Sequence, residues 1–234
     1  YRSAHPLMTL IHPDMMKDMM QAFVTIYKQQ GKLPVWHLMG CETDCMVGNP
    51  GVIIVADGLN KGYIEDKEGA FEALKNSVML DERGQDLRKQ YGFIPYDKMK
   101  ESVANDMEYA IADGAVALSA QKLGKAEDYA YFFQRSRSYM NYFDKESTFM
   151  RGRGTQGEFH EPFNPFASTH RDDDYCEGNA WQYTFLTPHD FDGLVECFGS
   201  KEALVKKMDE LFVAEAKLDG ANTSPDISGL IGQY

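Results

Sequence analysis

"DKMKESVANDMEYAIADGAVALSAQKLGKAEDYAYFFQRSRSYMNYF", residues 97 to 143, decides the fold class. Met99, Val103, Met107, Ala110, Ile111, Ala115 and Leu118 recur at steps of three and four, which places them on one face of a helix from Asp97 to Leu123. Gly124 stops it. Tyr129, Phe132, Phe133, Tyr139, Met140 and Phe143 repeat that period from Glu127 to Phe143, and so short a join turns the second helix back antiparallel on the first.

The same period extends outward in both directions. Upstream, Pro13 suits a first helical position, Met15, Met16, Met19, Phe23 and Ile26 form an apolar stripe, and Gly31 is the stop. A further pair is expected from Thr43 to about Asn60 and from Lys67 to Leu80, and Ser200 caps a last helix through Leu204, Met208, Leu211 and Phe212. Period-2 alternation is nearly absent, so the expected class is all-α, built from helical hairpins.

Composition narrows the function. A chain of 234 residues with 43% hydrophobic content can bury a core. Its 24 Lys and Arg against 36 Asp and Glu give a net charge of -12, which repels phosphate backbones and argues against a nucleic-acid partner. The longest uncharged apolar run, Val52 to Ala56, is far short of a membrane span. The start, Tyr1-Arg2-Ser3, has neither an initiating Met nor a signal-peptide pattern and reads as an excised piece. Cys41 and Cys45 are spaced like neighbours on a helix, Cys176 and Cys197 stand alone, and all four are expected to be structural or free thiols. The six histidines form no i, i+4 metal pair, and no G-x-S-x-G elbow is present.

The stretch from Asp144 to Cys176 breaks the helical period. Its glycines and prolines are interspersed with Phe149, Phe159, Phe163 and Phe166, and these aromatics argue for an ordered, functional loop over a disordered linker. Candidate acids cluster in such loops: Glu42, Asp172 to Asp174 with Glu177, Asp190 with Asp192, and Asp226. Asp190 reads first as a first-turn helix acid and Asp226 as turn chemistry. Asp172 to Asp174 read first as a solvated acidic corner, with a hard-cation site as the alternative. Trp36 and Trp181 lie beside these loops, where an aromatic face could stack on a sugar ring or simply pack in the core. Glycoside hydrolysis needs two carboxyls with one kept protonated, and a Glu against an apolar wall, as Glu177 is placed beside Trp181, suits the donor.

Three segments carry a resemblance: "LPVWHLMGCETDCMVGNPGVIIVADGLNKG" (33 to 62), "DDDYCEGNAWQYTFLTPHDFDGLVECFGS" (172 to 200) and "SPDISGLIGQY" (224 to 234). Together they resemble the catalytic domain of glycoside hydrolase family 92, the calcium-dependent, inverting exo-α-mannosidases. The resemblance implies an (α/α)6 toroid of which residues 1–234 are the central part, with an N-terminal β-sandwich and the C-terminal part of the barrel outside. It implies Glu177 as general acid, and Arg2, Glu42, Asn179, Trp181 and Gln182 in the wall around a terminal mannose. Calcium ligands and the general base are implied to lie beyond Tyr234, so the chain alone is expected to be inactive. The implied partners are mannose-containing glycans, cut most readily at α-1,2 linkages in a secreted, periplasmic or cell-surface setting, with self-association through unfinished barrel faces. Departures are Pro50-Gly51, where family members often have His-Ala, and Phe185, where Trp is frequent. Other readings are a glucanase or lyase on an α/α toroid, disfavoured for a lyase by the acidic loops, and a non-catalytic helical sugar-binding scaffold.

Overall fold

A computed structural model describes residues 1–215, 219, 220 and 223. Asp226 and the 224 to 234 segment lie outside the described residues. The helices follow in the order α1 (Ala4–Ile11), α2 (Pro13–Gln30), α3 (Pro50–Lys61), α4 (Lys67–Val78), α5 (Gln85–Tyr91), α6 (Ser102–Lys122), α7 (Ala126–Arg135), α8 (Ala180–Tyr183), α9 (Phe191–Phe198) and α10 (Lys201–Val213). Among the described residues, strands are confined to two antiparallel two-residue pairs, β1 (His37–Leu38) with β2 (Cys41–Glu42) and β3 (Phe143–Asp144) with β4 (Phe149–Met150). The all-α class therefore holds. Among the described residues no helix is long and apolar enough to cross a membrane.

The chain divides into two compact units, Tyr1–Gln85 with Glu108–Ser136, and Asp86–Met107 with Arg137–Tyr234. The first is a helical cluster whose core joins Met16, Met20 and Val24 of α2 to Val52, Val55 and Leu59 of α3, Phe71, Leu74 and Val78 of α4, and Val116 and Phe132. Each such side chain, fully buried, contributes about 1.5–3 kcal/mol by leaving water. The buried line on α2 is Met16, Met20 and Val24, while Met15 is exposed and Met19, Phe23 and Ile26 are only half-buried, so the expected stripe is rotated by one position. Its cause is a close approach: a Cβ at Gly58 of α3 would stand 2.3 Å from the Met20 sulfur, so the missing side chain is what admits Met20.

Three helix boundaries differ from the sequence reading. The helix expected from Thr43 begins at Pro50, because the residue before a proline is driven out of the helical region, and Asn49 sits at φ -126°, ψ 67°. Cys41 is therefore in β2 and Cys45 in the following loop, not together on a helix; both are exposed, and all four cysteines are free. Gly51 also has a local reason, since a Cβ there would lie 2.3 Å from the Pro34 carbonyl oxygen. The helix expected to run to Phe143 stops at Arg135 and passes into a 3₁₀ turn, Ser138–Tyr142. Ser136 Oγ turns back on the Phe133 carbonyl at 2.8 Å and Ser138 Oγ donates to buried Asp106 at 2.7 Å, both alternatives to continuing the helix.

The long central helix starts at Ser102 instead of Asp97, and it is buried nearly all round instead of along one stripe, although Leu118 is exposed. Residues 102–107 belong to the second unit and 108–122 to the first. Its buried polar groups are paired inside their own unit: Asp113 with Arg135 Nε at 3.2 Å, and Asp106 with Arg88 Nε at 2.6 Å, the Tyr142 hydroxyl at 2.7 Å and the Ile94 N–H at 3.0 Å. In the second unit α10 is capped by Ser200, whose Oγ accepts the Ala203 N–H at 3.1 Å, as its sequence anticipates.

Candidate active site

The segment entering Glu177 is anchored through its backbone. The Asp173 and Asp174 carbonyls accept the Glu101 and Ala104 N–H groups at 2.6 and 3.1 Å, satisfying N–H groups at the start of α6 that have no partner within the helix. The Asp173 carboxylate accepts from Thr169 N at 2.8 Å and Asp174 N at 2.6 Å. Burial pushes its pKa up to about 6 against those donors. Asp174 is buried, bonds His160 Nδ1 at 2.8 Å and accepts from Ser102 Oγ. Only Asp172 faces solvent, paired with Lys100 at 2.8 Å. The solvated acidic corner expected for Asp172 to Asp174 is thus corrected for Asp173 and Asp174, which close a loop and order the chain ahead of Glu177. Among the described residues no group of three or more His, Cys, Asp and Glu could hold a metal ion.

Past Glu177 the chain is tied equally firmly. Tyr183 OH donates to the Cys176 carbonyl at 2.8 Å, and Tyr175 OH to that of Met150 at 2.6 Å. Asn179 caps α8: its Oδ1 accepts the Trp181 N–H at 3.0 Å, while Gln182 Oε1 accepts the Asn179 N–H at 2.8 Å, a capping box. Gly178 lacks room for a side chain, since a Cβ would come 2.7 Å from Gln182 Oε1. Trp181 is only 7% exposed; it meets Phe149 edge-on at 4.8 Å, and the Lys207 ammonium lies 4.5 Å from its ring. Asn179, Trp181 and Gln182 therefore gather around Glu177 in sequence and in space, with their visible bonds spent on holding its turn.

Glu177 itself is half-buried and takes φ 49°, a left-handed conformation. Glu101 and Arg171 do the same, at 52° and 57°. Such residues cost roughly 1–3 kcal/mol each and persist only where the surroundings over-determine them. Burial raises the Glu101 pKa, with the Cys176 thiol acting to lower it and the charge of Glu177 to raise it. Sequence reading missed Glu101, since it looked like one more charge inside an expected helix, and nothing local ties it to a residue so distant in the chain. Asp190, by contrast, is the N-cap of α9, accepting Gly193 N at 2.9 Å, as capping preference predicts.

Arg2 and Glu42 belong to the first unit. Arg2 pairs with buried Glu108, which also accepts from Tyr1 OH at 2.7 Å. Glu42 takes N–H groups from Val35, Trp36, Thr43 and Asp44 at 2.7–3.0 Å, with His37 Nε2 at 3.4 Å, and so closes the β1–β2 hairpin that holds half-exposed Trp36. Burial acts to raise its pKa, but the backbone donors Trp36, Val35 and Asp44 win and hold it at about 2. A depressed carboxyl contributes stability that is complete above its ordinary value near 4.5 and is lost as pH falls through the folded value. Amide exchange at residues 35, 36, 43 and 44, corrected for intrinsic rates, should lose protection between about pH 4.5 and 2, and Glu42→Gln should remove that step. Protection that stays flat across this window would refute the assignment.

A family model described as the glycosyl hydrolase family 92 catalytic domain matches residues 1–234. A solved family 92 α-mannosidase of Bacteroides thetaiotaomicron, in complex with mannoimidazole, is 35% identical and superposes with a TM-score of 0.85 over 92% of this chain and 29% of that one. A family 92 inverting mannosidase of the same organism gives 29% identity and a TM-score of 0.82 over 91% of this chain and 30% of that one. A curated protein of Arthroderma benhamiae, described as an uncharacterized secreted glycosidase, is 24% identical over 83% of this chain and 30% of its own length. The chain thus spans about 30% of the length of these relatives.

Proposed function

Because this chain belongs to glycosyl hydrolase family 92, we propose that it carries the proton donor of an exo-acting mannosidase that releases terminal α-linked mannose from glycans. The observation that carries this reading is Glu177, a half-buried carboxyl on a left-handed turn bolted at both ends. Support comes from the mannosidases to which the chain is similar. The step assigned to Glu177 is general acid catalysis. Its proton passes to the glycosidic oxygen as the C–O bond breaks, and water adds at the anomeric carbon from the opposite face, giving its proton to a base. That inverting geometry needs carboxyls roughly 6.5–9.5 Å apart. The base lies in the part of the protein outside residues 1–234 on this reading, so the isolated chain lacks turnover.

Calcium dependence is part of the proposal for the whole protein. On this reading its ligands lie outside residues 1–234, and no step here runs through it. A secreted, periplasmic or cell-surface location and α-1,2 preference complete the reading. A panel of linkage-defined mannobioses, assayed with the full-length protein before and after chelation and calcium readdition, tests it. Fastest release from the α-1,2 isomer, lost on chelation and restored by calcium, is the expected outcome. Release from glucosides or uronides but from no mannoside would overturn the substrate class.

A further inference from the structure

Lys207 is the only charged side chain of α10 that is buried, at 7% exposure. Its ammonium stands 3.6 Å from the centre of the Phe149 ring and 4.5 Å from that of Trp181, inside the roughly 6 Å over which a ring face attracts a cation. The two rings meet edge-on at 4.8 Å and 86°, so one ammonium serves two faces set nearly at right angles. Phe166 adds a tilted contact to the indole at 6.1 Å. Among the described residues the indole N–H has no hydrogen-bond acceptor. Ring contacts, not its polar atom, therefore orient Trp181. The residue stands in the single turn of α8, whose capping box closes on Asn179, two residues past Glu177. We infer that Lys207 is a positioning residue for Glu177: it seats the Trp181 indole, and through it the turn of α8 to which Glu177 is joined. The inference rests on Glu177 being the proton donor.

Stability alone gives no reason for an amine at this place. Burial pushes the Lys207 pKa down, and only half-exposed Glu210, 3.7 Å away, acts to raise it. A charge taken out of water loses more than one long ion pair returns, and an apolar side chain of similar volume is commonly neutral or stabilising there. Methionine would fill the same space and touch the same rings. It would lack the directional part, because the attraction of a cation to a ring face weakens as the ring tilts away. Lys207 thus favours one tilt of the indole. A helix of four residues has little rigidity of its own and follows whatever its side chains are packed on. A small displacement of the donor from the glycosidic oxygen then slows proton transfer.

The test is steady-state kinetics and thermal unfolding of the full-length protein, comparing wild type with Lys207→Met, Trp181→Leu, the double variant and Glu177→Gln. The substrates are an unactivated mannobiose and an aryl α-mannoside with an acidic leaving group. Lys207→Met should leave Tm unchanged or raised and lower kcat on mannobiose about tenfold, with KM within about twofold. The aryl mannoside should lose less than about twofold, since its leaving oxygen needs little protonation. In the Trp181→Leu background the same change should cost nothing further, because Lys207 acts through the indole. Full kcat on mannobiose in Lys207→Met, equal losses on the two substrates, or losses that multiply in the double variant overturn the inference. Should Lys207→Met not fold, Lys207→Leu is read in the same way, and failure of both to fold shows the lysine to be structural, which is equally fatal. If Glu177→Gln spares mannobiose turnover, the proton-donor reading itself falls; if it abolishes turnover while Lys207→Met keeps full kcat, only the Lys207 inference falls.

Discussion

Glu177→Gln in the full-length protein should lower turnover of mannobiose by about 10²- to 10⁴-fold, the usual range for a lost proton donor. An aryl α-mannoside with an acidic leaving group should lose far less, because its departing oxygen needs little protonation. The structure makes this substitution clean. Glutamine has the shape of glutamate, and on either side of it the Cys176 carbonyl is held by Tyr183 and the Asn179 N–H by Gln182. A fall in activity with an unchanged melting temperature therefore reports on chemistry. Equal losses on both substrates would mean that binding or folding was hit instead, and no loss on either would remove Glu177 from the mechanism.

The largest effect on stability is expected at Asp106. It is fully buried and accepts from Arg88 Nε at 2.6 Å, Ser138 Oγ at 2.7 Å, Tyr142 OH at 2.7 Å and Ile94 N at 3.0 Å. Arg88 is itself buried. Asp106→Ala would delete the carboxylate on which buried Arg88, Ser138, Tyr142 and Ile94 converge, although the Ile94 N–H keeps the Tyr142 oxygen at 2.9 Å and the Tyr142 hydroxyl keeps the Ile94 carbonyl at 2.9 Å. Removing one partner of a buried ion pair costs about 3–5 kcal/mol, which for a chain of this size lowers Tm by on the order of 10 °C. Ser138→Ala deletes two bonds of a neutral hydroxyl, the one to Asp106 and the one accepted from Arg88, and should cost less, about 1–2 kcal/mol. Thermal unfolding of both variants beside wild type checks this. Equal Tm losses in the two, or none in Asp106→Ala, would show that the network is not the anchor it is drawn as.

These two residues also show how differently sequence exposed them. Glu177 stood out because a carboxyl between Cys176 and Gly178, beside Asn179 and Trp181, falls outside any helical period. Asp106 and Glu101 did not, for they occur within the long period-3.6 run, where a charge every few residues ordinarily faces water. Burial of α6 on nearly all sides turns Asp106 inward, and Glu101 sits half-buried just ahead of that helix.

What the sequence by itself determined is local: the helical class, from apolar residues at steps of three and four; the ends of α2 and the start of α10, from Pro13, Gly31 and Ser200, each with a backbone reason to start or stop a helix; and the candidate acid, from its setting. Only the tertiary structure decided which face of α2 is buried, because Gly58 on another helix opens the space for Met20. It also decided that Asp173 and Asp174 order the chain instead of sitting in water, and that the Glu101 N–H reaches the Asp173 carbonyl. Each depends on contacts between residues remote in the chain. Periodicity and capping act within a few residues of each other, so they carry no information about which distant backbone group or carboxyl will arrive there.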